Sequence, residues 1–498
     1  MTTKRGSRRP RPAGAKAAAT ATMGVIALIG VVINAMIGGG VFSLPQNLAA
    51  EASAGGIMIA WVITGIGIWF LATTFRILAA ARPELTNGIY AYAETGFGRL
   101  IGFLSAYGYW ICNCFALVAY SILIMQTVDL FLPYFEGGNN PAAIAAGSVI
   151  VWAMFALTLT GARQTGILNV LAAIGTLAPV AIFIVAVAAA FKIGTFLTAF
   201  WGTSADGSPL EFSIGSILPQ VDGTMLIILW LFIGIEGAVV VSRTAASQRA
   251  VRSATTIGLL VTLSVYILAS LLPFGAYSQK QLAAMPNPSS AQIMADTVGA
   301  WGEWVTNAGL IVSVLGSWFV WMVMLGEMPL AAARSGTFPK RFERLSSRNV
   351  PVFSLAVTAA IIQVILVCSA FSTDAWVVMI SITSVMALPC YLFCTLFLVK
   401  IVREGRYPSK LFASKGYALA TGILGTLYGA WLVYAAGLQY LLLAGVIYAL
   451  GLPLYVFSRR RAVKGRAVFG REDWWTVAVV LAIGVSGAVY GVFQLIGR

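Results

Sequence analysis

Histidine is absent from this 498-residue chain, and with it the commonest metal ligand and the side chain that titrates nearest neutral pH. Any proton-linked step must then fall to Asp and Glu, of which there are 17 against 32 Lys and Arg. Charged residues make up only 10% of the chain, where soluble domains carry about 25%, so a water-facing surface of this size has nothing to be made from. The five cysteines, Cys112, Cys114, Cys368, Cys390 and Cys394, fall in apolar segments without the spacing of a zinc site or a disulfide framework, and they read as packing residues. No P-loop is present, which leaves ATP-driven transport without support. No cofactor or metal constellation and no clustered nucleophile with a base is visible, so nothing in the sequence argues for an enzyme.

What is present is apolar: 59% of residues are hydrophobic. Windows of about 20 apolar residues give thirteen expected spans, near 23–44, 56–80, 100–132, 143–162, 167–191, 222–242, 253–276, 305–333, 353–371, 375–399, 416–435, 438–457 and 474–495. The chain is therefore expected to be an all-α polytopic membrane protein. The net charge of +15 does not mean nucleic acid. With the N-terminal tail in the cytoplasm, all Lys and Arg except Lys192, Lys280 and Arg498 fall on the cytoplasmic side, which is the positive-inside pattern. The tail and first run imitate a signal peptide, but the run is too long and no cleavage site follows, so an uncleaved helix is expected. An odd number of spans puts the C-terminus outside.

The same count exposes an internal repeat. Five spans is an odd number, so a second set of five starts from the opposite face, which is the plan of an inverted-repeat transporter. Spans 1–5 and 6–10 would form the two five-helix units, and about three peripheral helices would follow. The expected division is a basic cytoplasmic tail over 1–22, a transporter core over 23–400 and peripheral helices over 401–498. Within span 1 the stretch NAMIGGGVFSLP (34–45) sets three glycines in a row, each costing about 1 kcal/mol against alanine inside a helix. Span 6 carries Gly234 and Gly237 around Glu236 at the matching place. Broken backbone is tolerated at membrane depth only where protein buries it or it lines a cavity. Freed amides at Gly38, Gly39 and Gly40 would suit a carboxylate, and freed carbonyls at Met36, Ile37 and Ile233 an ammonium group. An α-amino acid carries both. The simpler alternative, that the glycines serve close helix packing, stands beside this one.

The segments GGGVFSLPQNLAA (38–50), RPELTNGIYAYAETGFGRLIGFLSAYGYW (82–110), LWLFIGIEGAVVVS (229–242) and GLIVSVLGSWFVWMVMLGEMPLAAARSGTFPK (309–340) resemble the amino acid/polyamine/organocation superfamily. Within it they are most similar to basic amino acid antiporters, the arginine/ornithine antiporters and related lysine permeases. The resemblance implies that Gly39 and Gly40 meet the substrate carboxylate, that the backbone at Met36 and Ile233 receives the α-amino group, and that Trp230 gates the site. It also implies that Cys112 and Asn113 contact the substrate side chain and that Trp321 covers its cationic end. Span 13 exceeds the twelve spans usual in that superfamily.

Glu236 and Glu327 are the carboxylates deepest in expected spans. With no histidine to share the task, each is a candidate proton sensor or a structural acid bonded between helices. Together these features imply a secondary exchanger of cationic amino acids, arginine against ornithine, in the cell membrane, with the lipid bilayer as its surroundings and a homodimer as a further option. A lysine or arginine permease driven by membrane potential or proton coupling is the alternative within the same class, and a channel or sensor the remote one.

Overall fold

The computed structural model describes residues 24–85, 89–161, 166–204, 206–236, 247–462 and 468–496. The basic tail and the glycine at 237 lie outside them. In hydrocarbon a peptide group must be hydrogen-bonded within its own segment, and each of the thirteen apolar runs contains a described helix. The first run divides into α1 (Val25–Met36), a 3₁₀ turn over Gly39–Ser43 and α2 (Leu44–Glu51). There follow α3 (Ala54–Ala81), α4 (Tyr90–Phe97), α5 (Arg99–Asp129), α6 (Pro141–Leu159), α7 (Gly166–Ala190), α8 (Ile193–Leu197) and α9 (Ile214–Leu231). The second half comprises α10 (Gln248–Leu271), α11 (Gln279–Ala283), α12 (Ser289–Val298), α13 (Ala300–Arg334), α14 (Val352–Cys368), α15 (Ala375–Arg403), α16 (Lys415–Ala435), α17 (Gly437–Ala462) and α18 (Asp473–Ile496).

Eleven of these are long and apolar enough to cross a membrane, and the bent pair Leu28–Met36 and Gly39–Glu51 meets the same test with 43° between its halves. Two boundaries differ from expectation. The first span runs on to Glu51, and the helix of the sixth begins early, at Ile214, and ends at Leu231, while 237–242 of that expected span lie outside the described residues. Four of the cysteines are buried as expected, but Cys368, the last residue of α14, is exposed.

The interior is organised around α5, where 83% of the most apolar window is buried, against 17% in α18. It packs along α15 and against α13. Small residues set the closest crossings, as membrane helices require when lipid gives no hydrophobic drive to associate. A side chain at Gly175 of α7 would meet Val312 of α13 at 2.5 Å, and the hydroxyls of Thr176 and Ser313 join the same pair at 2.7 Å. The short α11 and α12 clasp α2: the Gln46 amide nitrogen donates to Ser289 Oγ (3.2 Å), and Gln279 Nε2 donates to the Ala49 carbonyl (3.1 Å).

At the opposite end, α4 connects to the loop after α13. Thr337 Oγ1 donates to Glu94 Oε2 at 3.1 Å. Burial pushes the Glu94 carboxyl above its ordinary value, while the Thr337 hydroxyl and the charges of Arg99 and Arg459 pull the other way. The folded chain therefore holds this proton more readily than an unfolded one, and the contribution of Glu94 to stability falls as pH rises through the raised value. Glu94→Gln, which cannot ionise, should raise the thermal midpoint at about pH 7, with the gain shrinking toward about pH 4. Melting both proteins across that range checks it, and a pH-independent difference would mean that Glu94 acts through packing alone.

Candidate functional site

The first break follows from its residues. Helix α1 ends at Met36, Ile37 leaves the helical region at φ −79°, ψ 88°, and Gly38 takes φ −101°, ψ −148°. Pro45 in the first turn of α2 restarts the helix, where its missing N–H costs nothing. Gly39 and Gly40 open the 3₁₀ turn, so their amides have no carbonyl behind them within that turn.

The second break begins where α9 stops. Phe232 and Ile233 close a final turn onto the Leu229 and Trp230 carbonyls, at 3.0 and 3.2 Å. Gly234 then adopts φ +109°, a conformation that favours glycine. A Cβ there would stand 2.7 Å from the Ala35 carbonyl oxygen, so the two breaks meet backbone against backbone. Tyr266 of α10 joins them: its hydroxyl reaches the Met36 carbonyl at 2.7 Å and the Leu231 carbonyl at 3.1 Å. Trp61 stacks on the Tyr266 ring at 6.2 Å and Phe232 meets it edge-on at 5.7 Å. Trp61 is itself fixed by a 2.9 Å bond from Nε1 to Ser270 Oγ.

Between the breaks and α5 lies a narrow cavity lined by Ala35, Met36, Gly38, Gly40, Asn113, Ala116, Tyr120, Trp230, Leu231, Ile233 and Trp321. Seven of the residues expected at the site therefore border one space: Met36, Gly38, Gly40, Asn113, Trp230, Ile233 and Trp321. Three others do not border it. Ile37 is fully buried. Cys112 turns its thiol to the Tyr109 carbonyl at 3.2 Å. Gly39 faces a helix crossing, where a Cβ would come within 2.5 Å of Val314 and 2.7 Å of Leu123. Gly38 and Gly40 instead face the cavity wall, under the Tyr120 hydroxyl and the Trp230 ring respectively.

The lining carries no ionisable carboxylate or cation. Its polarity comes from the broken backbone, the Tyr120 hydroxyl, the two indoles and Asn113. Asn113 Nδ2 already donates to the Tyr109 carbonyl (2.7 Å) and Cys112 Sγ (3.4 Å), which leaves its carbonyl oxygen as an acceptor. Tyr120 and Trp376 meet Trp230 edge-on at 6.4 and 5.4 Å. Aromatic faces of this kind attract guanidinium and ammonium groups. The sequence reading did not single out Ala116 and Tyr120, although Asn113, Ala116 and Tyr120 follow the spacing of one helix face.

Glu236 is fully buried beside the second break, and its Oε2 accepts a 2.9 Å hydrogen bond from the Tyr391 hydroxyl. Glu327 lies elsewhere, on a separate small hollow with Thr158, Val323, Asn349 and Leu355. The two acids thus serve different parts of the molecule.

The family model for amino acid permeases matches residues 23–483. A provisionally named amino-acid transporter of Clostridium perfringens is 51% identical over 470 residues, covering 94% of this chain and 98% of that protein. Arginine/agmatine antiporters of Chlamydia abortus and Chlamydia pneumoniae are 45% and 44% identical, over 92% and 91% of this chain and 94% and 93% of theirs.

Two outcomes follow from the placement of the glycines and acids. Gly40→Ala should push the Trp230 ring aside and lower ligand affinity while the fold persists, whereas Gly39→Val should lower the thermal midpoint because it collides with α5 and α13. Ligand binding and melting measured on both variants decide this, and equal affinity in wild type and Gly40→Ala would remove that glycine from the site. Glu236→Gln should shift or flatten the pH profile of transport, and Glu327→Gln should change rate with the profile kept. Transport rate against pH in proteoliposomes reads both, and an unchanged profile for Glu236→Gln assigns that acid to structure.

Proposed function

The chain belongs to the amino acid permease family, and from that premise we propose that it is a secondary exchanger of cationic amino acids, working by alternating access around the cavity between its two helix breaks. The observation that carries this reading is one space bordered by residues of both helix breaks, with aromatic walls and no lining carboxylate. A substrate amino acid would set its carboxylate at the glycine amides at the start of the 3₁₀ turn, near Gly40, and its α-amino group at the second break near Ile233, the Met36 carbonyl being already engaged by the Tyr266 hydroxyl and the Gly38 N–H. Its cationic end would lie against Trp321, with Asn113 as acceptor. Trp230, resting on Gly40, would cover the occupied site.

Arginine is the proposed entering substrate. The counter-substrate is a related cation: ornithine on the sequence resemblance, or agmatine by analogy with the Chlamydia proteins named for that exchange. The charges separate them. Arginine against ornithine moves equal charge both ways, whereas agmatine carries one positive charge more than arginine. Its exchange would respond to membrane potential by up to about 2.3 kcal/mol per 100 mV.

Labelled arginine should enter proteoliposomes loaded with ornithine or agmatine and fail to enter empty ones. A potential should alter only the agmatine exchange. Uptake into empty vesicles driven by an inside-negative potential would instead support the permease reading, and no uptake under any condition by folded protein would overturn transport of this class. Trp321→Leu keeps an apolar side chain but removes the π face. Affinity for arginine should fall by about 0.5–2 kcal/mol, with neutral amino acids affected less. A uniform loss across charged and neutral ligands would mark Trp321 as packing.

A further inference from the structure

Away from the cavity, two arginines converge on one ring at the ends of three helices. Arg76 lies near the C-terminal end of α3, Arg252 near the start of α10, and Phe412 in the loop before α16. The Arg252 guanidinium carbon stands 4.4 Å from the Phe412 centroid and that of Arg76 5.8 Å, so the two cations are no farther apart than these distances together. Among the described residues neither takes part in an ion pair. The carboxylates of this face that do, Glu84 and Glu404, are held by Arg82 and Arg406. Arg76 Nε is buried and has no acceptor among the described residues.

A half-buried guanidinium with an unused N–H and a second cation as neighbour is a costly arrangement unless an anion answers it. The setting is also built to receive one. The loop is tied by the Tyr407 hydroxyl to the Ala413 carbonyl at 2.8 Å, which presents Phe412 at a fixed place. Lys410 and Lys415 flank it in sequence. Phe412 and Tyr417 are exposed, an aromatic pair of the kind that sits at the headgroup level of a bilayer. All of this lies where spanning helices end, on the face where the sequence concentrates its Lys and Arg.

We propose that Arg76 and Arg252, bracketing Phe412, bind the phosphate of an anionic phospholipid headgroup from the leaflet facing the basic loops. Phosphate matches a guanidinium fork through two parallel N–H bonds, and basic pockets between membrane helices on the cytoplasmic side suit such headgroups. Arg76 would supply the buried Nε–H, Arg252 the shallower contact, and the exposed rings the surface for the glycerol and upper acyl chain.

Native mass spectrometry of the full chain in detergent, titrated with phosphatidylglycerol or phosphatidylcholine, tests this without any transport assay, so its result is independent of the proposed exchange. The wild type should bind phosphatidylglycerol in preference to phosphatidylcholine. Arg252→Gln and Arg76→Gln should each cost about fivefold in affinity for the anionic lipid, while Arg406→Gln, whose arginine already pairs with Glu404, should cost little. Should Arg76→Gln fail to fold, Arg252→Gln carries the test. Equal binding of the two lipids, or a preference that survives Arg252→Gln, would overturn the proposal. Full displacement of phosphatidylglycerol by millimolar inorganic phosphate would overturn it too, by assigning the site to a soluble anion.

Discussion

An unpaired peptide group in hydrocarbon costs several kcal/mol, and this chain interrupts its first span and ends the helix of its sixth at Leu231 beside that interruption. The rest of the structure depends on how those breaks are satisfied. Gly234 lets the second break lie directly on the Ala35 carbonyl, and the Tyr266 hydroxyl serves carbonyls from both breaks. Trp61, Phe232 and Ser270 then hold Tyr266. Residues of both breaks, Met36, Gly38, Gly40 and Ile233, border the cavity. Breaking the helices and forming the site are therefore one structural event.

The proposed cationic substrate would meet a second constraint, a cavity lining without a fixed counter-charge. A carboxylate in the lining would bind more strongly but would need its own desolvation repaid whenever the site stood empty. Aromatic faces carry no net charge, so an empty cavity of this kind costs little. Glu236 stands apart from that lining, engaged by Tyr391.

Much of this was legible in the sequence, because the bilayer makes local pattern decisive. Apolar length placed thirteen helices, and the glycine run located the first break. The glycines themselves could not be sorted by sequence alone: Gly38 and Gly40 face the cavity wall while Gly39 faces Val314 and Leu123, a difference set by the φ and ψ of a 3₁₀ turn. Asn113 borders the cavity and Cys112 does not, since adjacent helix positions point about 100° apart. Tyr266 was invisible, because nothing in α10 announces that two distant carbonyls will need its hydroxyl. The clasp of α11 and α12 on α2 was missed for the same reason, its bonds joining Gln46 to Ser289 and Gln279 to Ala49 across 243 and 230 positions. Cys368 was misread because its run ends where the thiol faces outward.

A phenol has one proton, and at Tyr266 two carbonyls claim it. The shorter contact goes to Met36 and the longer to Leu231, so the bond is shared unequally. Any displacement of one break relative to the other must change that share. A carbonyl that loses its donor gains double-bond character and vibrates at higher frequency. Isotope-edited infrared spectra of Met36 and Leu231 would therefore move in opposite directions as the proton passes between them, making two backbone groups at the centre of the protein a built-in optical gauge of the distance between its halves.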